Sequence, residues 1–185
     1  MMEFRYKTRV EFYDVDSMDV VWHGNYIKYF EAARCAFLRE IGYDYANFRD
    51  DGFALPVVKL DIKYIKPLFF GDEVEILVRL KDATTMLKLE YQVLKDGEIL
   101  NIANSTQVCV DIQKRLSMYE LPSGFYRALK AKYDLERVTL EAEAQLKKQK
   151  SLNAMVLQEK AIDKWDGKLP QYYSGKELPF IMQSK

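Results

Sequence analysis

One apolar stripe of helical period, Tyr26, Phe30, Ala33, Phe37 and Ile41, stands among segments whose apolar residues alternate at period two. An amphipathic helix of about four turns must bury that stripe, and Gly42 supplies its C-terminal stop. Sheet is the surface offered to it. Phe4, Tyr6, Thr8, Val10 and Phe12 alternate with charged residues, which predicts a half-buried strand over Glu3 to Phe12. Ala54 to Ile65 reads as a long β-prone segment halted by Pro67, and Gly71-Asp72 turns the chain into the alternation of Val74, Ile76, Val78 and Leu80. Leu87, Leu89, Tyr91 and Val93 form the next strand, Asp96-Gly97 is a strong hairpin signal, and Ile99 to Ile112 reads as a long final strand. Asp44 to Phe53 reads as a loop or short helical turn. The order is strand, helix, then four strands joined by short turns. That order predicts an α+β fold with an antiparallel sheet wrapped around one central helix.

Pro122 is placed to open a short helix from Ser123 to Tyr133, where the domain is expected to end. Residues 1–133 are thus read as the domain and residues 134–185 as a helical and irregular extension. From Leu135 to about Trp165 the composition turns to Glu, Lys, Gln, Ala and Leu, with Leu135, Val138, Ala142, Leu146, Leu152, Met155 and Val156 as a loose stripe. The tail from Gly167 to Lys185 reads as irregular and is expected to lie across the domain or a neighbouring subunit.

Lys plus Arg and Asp plus Glu each number 28, and this balance argues against a nucleic-acid protein with a broad basic face. Cys35 and Cys109 lack metal-ligand spacing and give no disulfide framework. Residues Met1 to Lys7 are charged where a signal peptide needs an apolar core, and no apolar run reaches membrane-spanning length. A soluble cytoplasmic protein without a membrane span is the expectation.

The chemistry-bearing feature is the turn ahead of the helix. Asp14, Asp16 and Asp19 precede the chain's one histidine, His23, within a few residues of the helix start at Tyr26. A carboxylate beside the unpaired N–H groups of a helix N-terminus combines a base or nucleophile with an oxyanion-stabilising site, the minimum equipment for acyl transfer. Local hydrogen bonding is the competing account, because Asp is favoured both in Asx-turns and at helix caps. A calcium loop is excluded by spacing, since Asp19 is out of phase with Asp14 and Asp16, and no metal is implied. Asn25 and Tyr26 can line a substrate pocket or serve as cap and core.

The run Phe12-Tyr13-Asp14-Val15-Asp16, the approach Val20-Val21-Trp22-His23-Gly24-Asn25-Tyr26 and the helix segment Phe30-Glu31-Ala32-Ala33-Arg34 resemble the hot-dog-fold acyl-CoA thioesterases of the 4-hydroxybenzoyl-CoA thioesterase type. The likeness extends through Tyr64-Ile65-Lys66-Pro67-Leu68 with Gly71-Asp72 and covers about Glu3 to Tyr133. It implies a hot-dog fold and hydrolysis of an acyl-CoA or acyl carrier protein thioester. Asp16 takes the place of the family's catalytic carboxylate, and His23 that of its oxyanion-donating backbone N–H. A glycine common in the family between the acid and the Val-Val pair is Asp19 here. Coenzyme A, as part of the substrate and not a cofactor, brings phosphates that need basic residues at a pocket mouth, with Lys63 and Lys88 among the strand candidates. The resemblance also implies a homodimer or homotetramer whose sites form at the shared interface. Two rival readings are a hot-dog dehydratase or hydratase and a non-catalytic acyl-CoA binding or scaffolding module.

Overall fold

The computed structural model describes residues 2–163. Two compact units divide the chain, Met1–Arg137 and Val138–Lys185. The first holds a five-stranded sheet built from β1 (Glu3–Arg9), β3 (Val57–Tyr64), β4 (Glu73–Asp82), β5 (Leu87–Lys95) and β6 (Glu98–Gln107), in the order β1-β4-β5-β6-β3. All its pairings are antiparallel, with Tyr6 opposite Ile76, Val78 opposite Tyr91 and Ile62 opposite Ala103. The β5–β6 hairpin turns on Asp96 and Gly97, whose φ values of 52° and 82° are those of the tight turn that matches strand twist.

Helix α1 (Tyr26–Ile41) lies against one face of this sheet. Its buried stripe includes Phe30, Ala33, Phe37 and Leu38, all at most 1% exposed. Phe30 packs on Tyr91 of β5 at 5.0 Å between ring centroids, and Phe37 on Phe4 of β1 at 6.1 Å. Gly42 ends the helix at φ 84°, with its N–H on the Arg39 carbonyl at 3.0 Å. The fold is the hot-dog arrangement, an antiparallel sheet around one central helix, that the family resemblance implies and with which the alternation and the single stripe agree.

Four boundaries depart from the sequence expectations. β1 ends at Arg9, because Val10 donates to the Asp72 carbonyl and accepts from Gly71, and residues Phe12–Asp14 close into a 3-10 turn. The long segment from Ala54 breaks at Leu55-Pro56: β2 (Phe53–Ala54) pairs with β7 (Val110–Asp111), and only β3 joins the main sheet. The final strand breaks likewise, β6 ending at Gln107 and β7 forming a small second sheet with β2 and β8 (Leu116–Ser117). The segment before β2 folds as α2 (Tyr45–Asp50), capped by Asp44, whose carboxylate accepts from Ala46 and Asn47 N–H while Asn47 Oδ1 accepts from Asp44 N–H.

The fourth departure lies at the C-terminus. The expected short helix and extension helix are one element, α3 (Ser123–Asp163), because neither Gly nor Pro occurs between Gly124 and Gly167. Phe125, in its first turn, is fully buried against Phe48 and Tyr43. The expected irregular tail from Gly167 lies outside the described residues, as do the side chains of Leu152, Met155 and Val156.

Candidate active site

The acidic turn is a pinned loop. Asp14, buried, accepts the Glu11 N–H on Oδ2 at 3.0 Å, and its own carbonyl accepts both Trp22 N–H and Asn25 Nδ2 at 2.9 Å. Val15 bridges to Val21, Asp16 N–H donates to the Val20 carbonyl at 2.9 Å, and Val21 N–H donates to Leu68 at 2.8 Å. These bonds fasten both arms of the loop to each other and to the β3–β4 connection. These bonds of Asp14 hold the loop, and its carboxylate also faces the Tyr29 hydroxyl; burial, together with that carboxylate, pushes the phenol up.

Asp16 sits on the same loop, half-buried, with Oδ1 accepting the Met18 N–H at 2.8 Å in an Asx-turn. Oδ2 takes no hydrogen bond from the described residues. Asp19 closes the turn at φ 61°, its N–H on the Asp16 carbonyl at 3.1 Å. The structure thus holds in left-handed backbone the position where a glycine is common. Asp is among the few side chains that tolerate that conformation.

The other arm runs straight into the central helix. His23, Gly24 and Asn25 form a 3-10 turn that continues as α1, and the first N–H groups of such a turn have no acceptor within it. Gly24 leaves space that Trp22 fills, because a Cβ there would lie 2.1 Å from the indole ring. The Trp22 and His23 rings touch at a tilt of 49°, 4.9 Å between centroids. The His23 carbonyl accepts the Tyr64 hydroxyl at 2.9 Å, and Tyr64 meets the Tyr26 ring edge to face at 5.2 Å. Burial pushes the phenols of Tyr26 and Tyr64 up, so both remain protonated donors at neutral pH.

A cleft of about 280 Å³ opens beside these groups, lined by Val21, His23, Tyr26, Tyr64, Ile65, Lys66 and Pro67. His23 and Tyr26 therefore share one cleft, and Asp16 lies on the loop that carries its His23 wall. Asn25 is buried, with its amide committed to the Asp14 carbonyl. Lys63 is exposed on edge strand β3 and does not line the cleft. Lys88 pairs with Asp82 at 3.1 Å across the β4–β5 hairpin and does not line it either. Tyr64 lines the cleft without a site role in the sequence reading, its signal being the Tyr64-Ile65-Lys66-Pro67 run, and Lys66, a further strand candidate for a phosphate contact, lines the cleft as well. Lys66 also pairs with Glu98.

A second, mostly apolar groove of about 470 Å³ is lined by Tyr45, Phe48, Phe53, Leu55, Pro56 and Val110, with Arg49 as its one charged neighbour. It lies at the start of β3, whereas the His23 cleft lies just past its end.

Comparison with known proteins agrees with this architecture. The family model described as the thioesterase-like superfamily matches residues 10–158. A protein of Aquifex aeolicus is 35% identical over 118 residues, which are 63% of this chain and 92% of that one. The acyl-CoA thioester hydrolase YbgC of Escherichia coli is 29% identical over 110 residues, 58% of this chain and 82% of that one. Among solved structures, a hypothetical protein of Aquifex aeolicus superposes with a TM-score of 0.63 at 31% identity, covering 68% of this chain and 98% of that one. With a pinned acidic turn feeding the N-terminus of the single central helix, and a family model spanning most of its length, the chain belongs to the thioesterase-like superfamily.

Proposed function

We propose that this protein hydrolyses acyl-CoA thioesters to the free acid and coenzyme A, with Asp16 as general base or nucleophile and the backbone N–H groups that open the turn at His23 as the oxyanion donors. The observation that carries the reading is the single pinned loop: one arm bears a carboxylate with an uncommitted oxygen, and the other enters the helix N-terminus. The name of the related YbgC supports acyl-CoA as the substrate class.

In the base route, Oδ2 of Asp16 takes a proton from water as the water oxygen bonds to the thioester carbon. The carbonyl oxygen becomes an oxyanion, held by the N–H groups and the positive end of the α1 dipole. Collapse then breaks the carbon–sulfur bond and releases the thiolate. In the nucleophile route, Asp16 attacks the carbon itself, thiolate leaves, and water cleaves the mixed anhydride.

The reading includes self-association. β3 is a sheet edge on which Val57, Val58 and Tyr64, and the following Ile65, are exposed beside the charged Lys59, Asp61 and Lys63, and an open edge is a template for strand pairing. Antiparallel pairing of β3 with its copy sets the start of one strand against the end of the other. The apolar groove at Leu55 and Pro56 of one subunit then meets the His23 cleft of the other, which gives the acyl group an apolar berth and the carbonyl a polar one.

The test is thiol release across aryl, short-chain and long-chain acyl-CoA substrates. Catalytic release of coenzyme A with at least one class is expected. Binding without release would favour a non-catalytic module, and altered acyl carbons with the thioester intact would favour a dehydratase or hydratase.

A further inference from the structure

Tyr45 faces two environments at once. Its ring lines the apolar groove with Phe48, Phe53, Leu55 and Val110, while its hydroxyl accepts Arg34 Nε at 2.6 Å. Arg34, 5% exposed on α1, does not line the groove, and its guanidinium carbon stands 5.9 Å from the Tyr45 ring centroid. The ring therefore stands between the groove and a buried cation. The groove walls offer little to a polar guest. β2 and β7 pair their backbones with each other, the Pro56 carbonyl accepts Val108 N–H at 3.2 Å, and Ile112 N–H donates to the Gly52 carbonyl at 3.0 Å. Arg49, the charged lining residue, is 76% open to solvent beside Asp50. A hydroxyl carried against these walls loses water and gains no partner, whereas each methylene buried there is stabilising.

We propose that Tyr45 is a specificity-determining residue: its ring screens Arg34 from the acyl groove, so the site takes acyl groups that end in hydrocarbon and rejects those that end in a hydroxyl. This role rests on the proposed hydrolysis and on the acyl group lying in this groove. Removing the ring opens the groove onto Arg34 and leaves its Nε without the Tyr45 acceptor. A hydroxyl at the far end of an acyl chain then supplies the acceptor that the phenol supplied. Glu31 and the Gln107 amide carbonyl still hold the guanidinium in place.

The experiment measures kcat/KM of the full chain for saturated straight-chain acyl-CoA thioesters of increasing length, each beside its terminally hydroxylated counterpart. At the lengths that reach Tyr45, the wild type should favour the unsubstituted member by roughly tenfold to a hundredfold. Tyr45→Ala should cut that preference about tenfold, and Tyr45→Phe, which keeps the ring, should retain it. Tyr45→Leu should move the preference in the same direction as Tyr45→Ala, and it carries the test if the alanine variant fails to fold. Affinities of the matching non-hydrolysable alkyl-CoA thioethers, read by calorimetry, test the screen apart from hydrolysis. A wild type that releases no thiol, yet whose thioether affinities follow this pattern, would sink the hydrolytic reading alone. Equal preference for the two chain ends in the wild type, an unchanged ratio in Tyr45→Ala and Tyr45→Leu, or a Tyr45→Phe ratio that matches Tyr45→Ala, in either measurement, would overturn the role of Tyr45.

Discussion

Asp19 shows how much one backbone torsion settles. Its φ of 61° lets the chain reverse between Asp16 and Val20, so the carboxylate loop closes on its own carbonyls. A side chain in left-handed backbone is strained, and Asp19→Gly should raise stability by about 1 kcal/mol in urea unfolding; an unchanged or lower midpoint would mean that the Asp19 side chain supports the turn. The sequence distinguished acidic residues by position but not by burden. Asp14 and Asp16 are two apart and chemically identical, yet Asp14 is buried in scaffold bonds and Asp16 keeps an oxygen uncommitted. That difference depends on which carbonyls fold back to meet the loop, which no local pattern records.

At the level of elements, α1 was legible to the residue because its stripe, its glycine stop and its length all agree. The broken strands were not, since whether Ala54 or Val110 continues the main sheet depends on which neighbour offers a partner. Arg34 illustrates a further feature hidden from periodicity. On the buried face of α1 it donates from Nε to the Tyr45 hydroxyl at 2.6 Å and bonds Glu31. With the Gln107 amide carbonyl facing it, Nε and Nη1 also donate to that oxygen at 2.8 and 3.1 Å. Desolvation, with Arg34 alongside, leaves the Tyr45 phenol pushed up to about 12, a neutral group at physiological pH. Arg34 thus joins the helix to α2 and to β6. Arg34→Ala should cost about 2–4 kcal/mol in denaturant unfolding, from the orphaned Gln107 and Tyr45 groups and the space left behind. A loss below about 0.5 kcal/mol, the range of ordinary surface changes, would contradict that role.

Across the whole molecule, the sheet around a single helix followed from the order of alternating and helical segments, and with it the placing of the acidic turn at the helix N-terminus. The cleft did not follow. Tyr64 reaches His23 across 41 residues of chain, and that contact exists only because β3 occupies the sheet edge beside the start of α1. The central claim is that Asp16 and the helix N-terminus together hydrolyse a thioester. It is tested most directly by comparing thiol release by the wild-type chain and Asp16→Asn under identical conditions, with unfolding midpoints measured for both. The account predicts a loss of about two to four orders of magnitude in turnover with the fold intact; release by Asp16→Asn within a few-fold of wild type would contradict it.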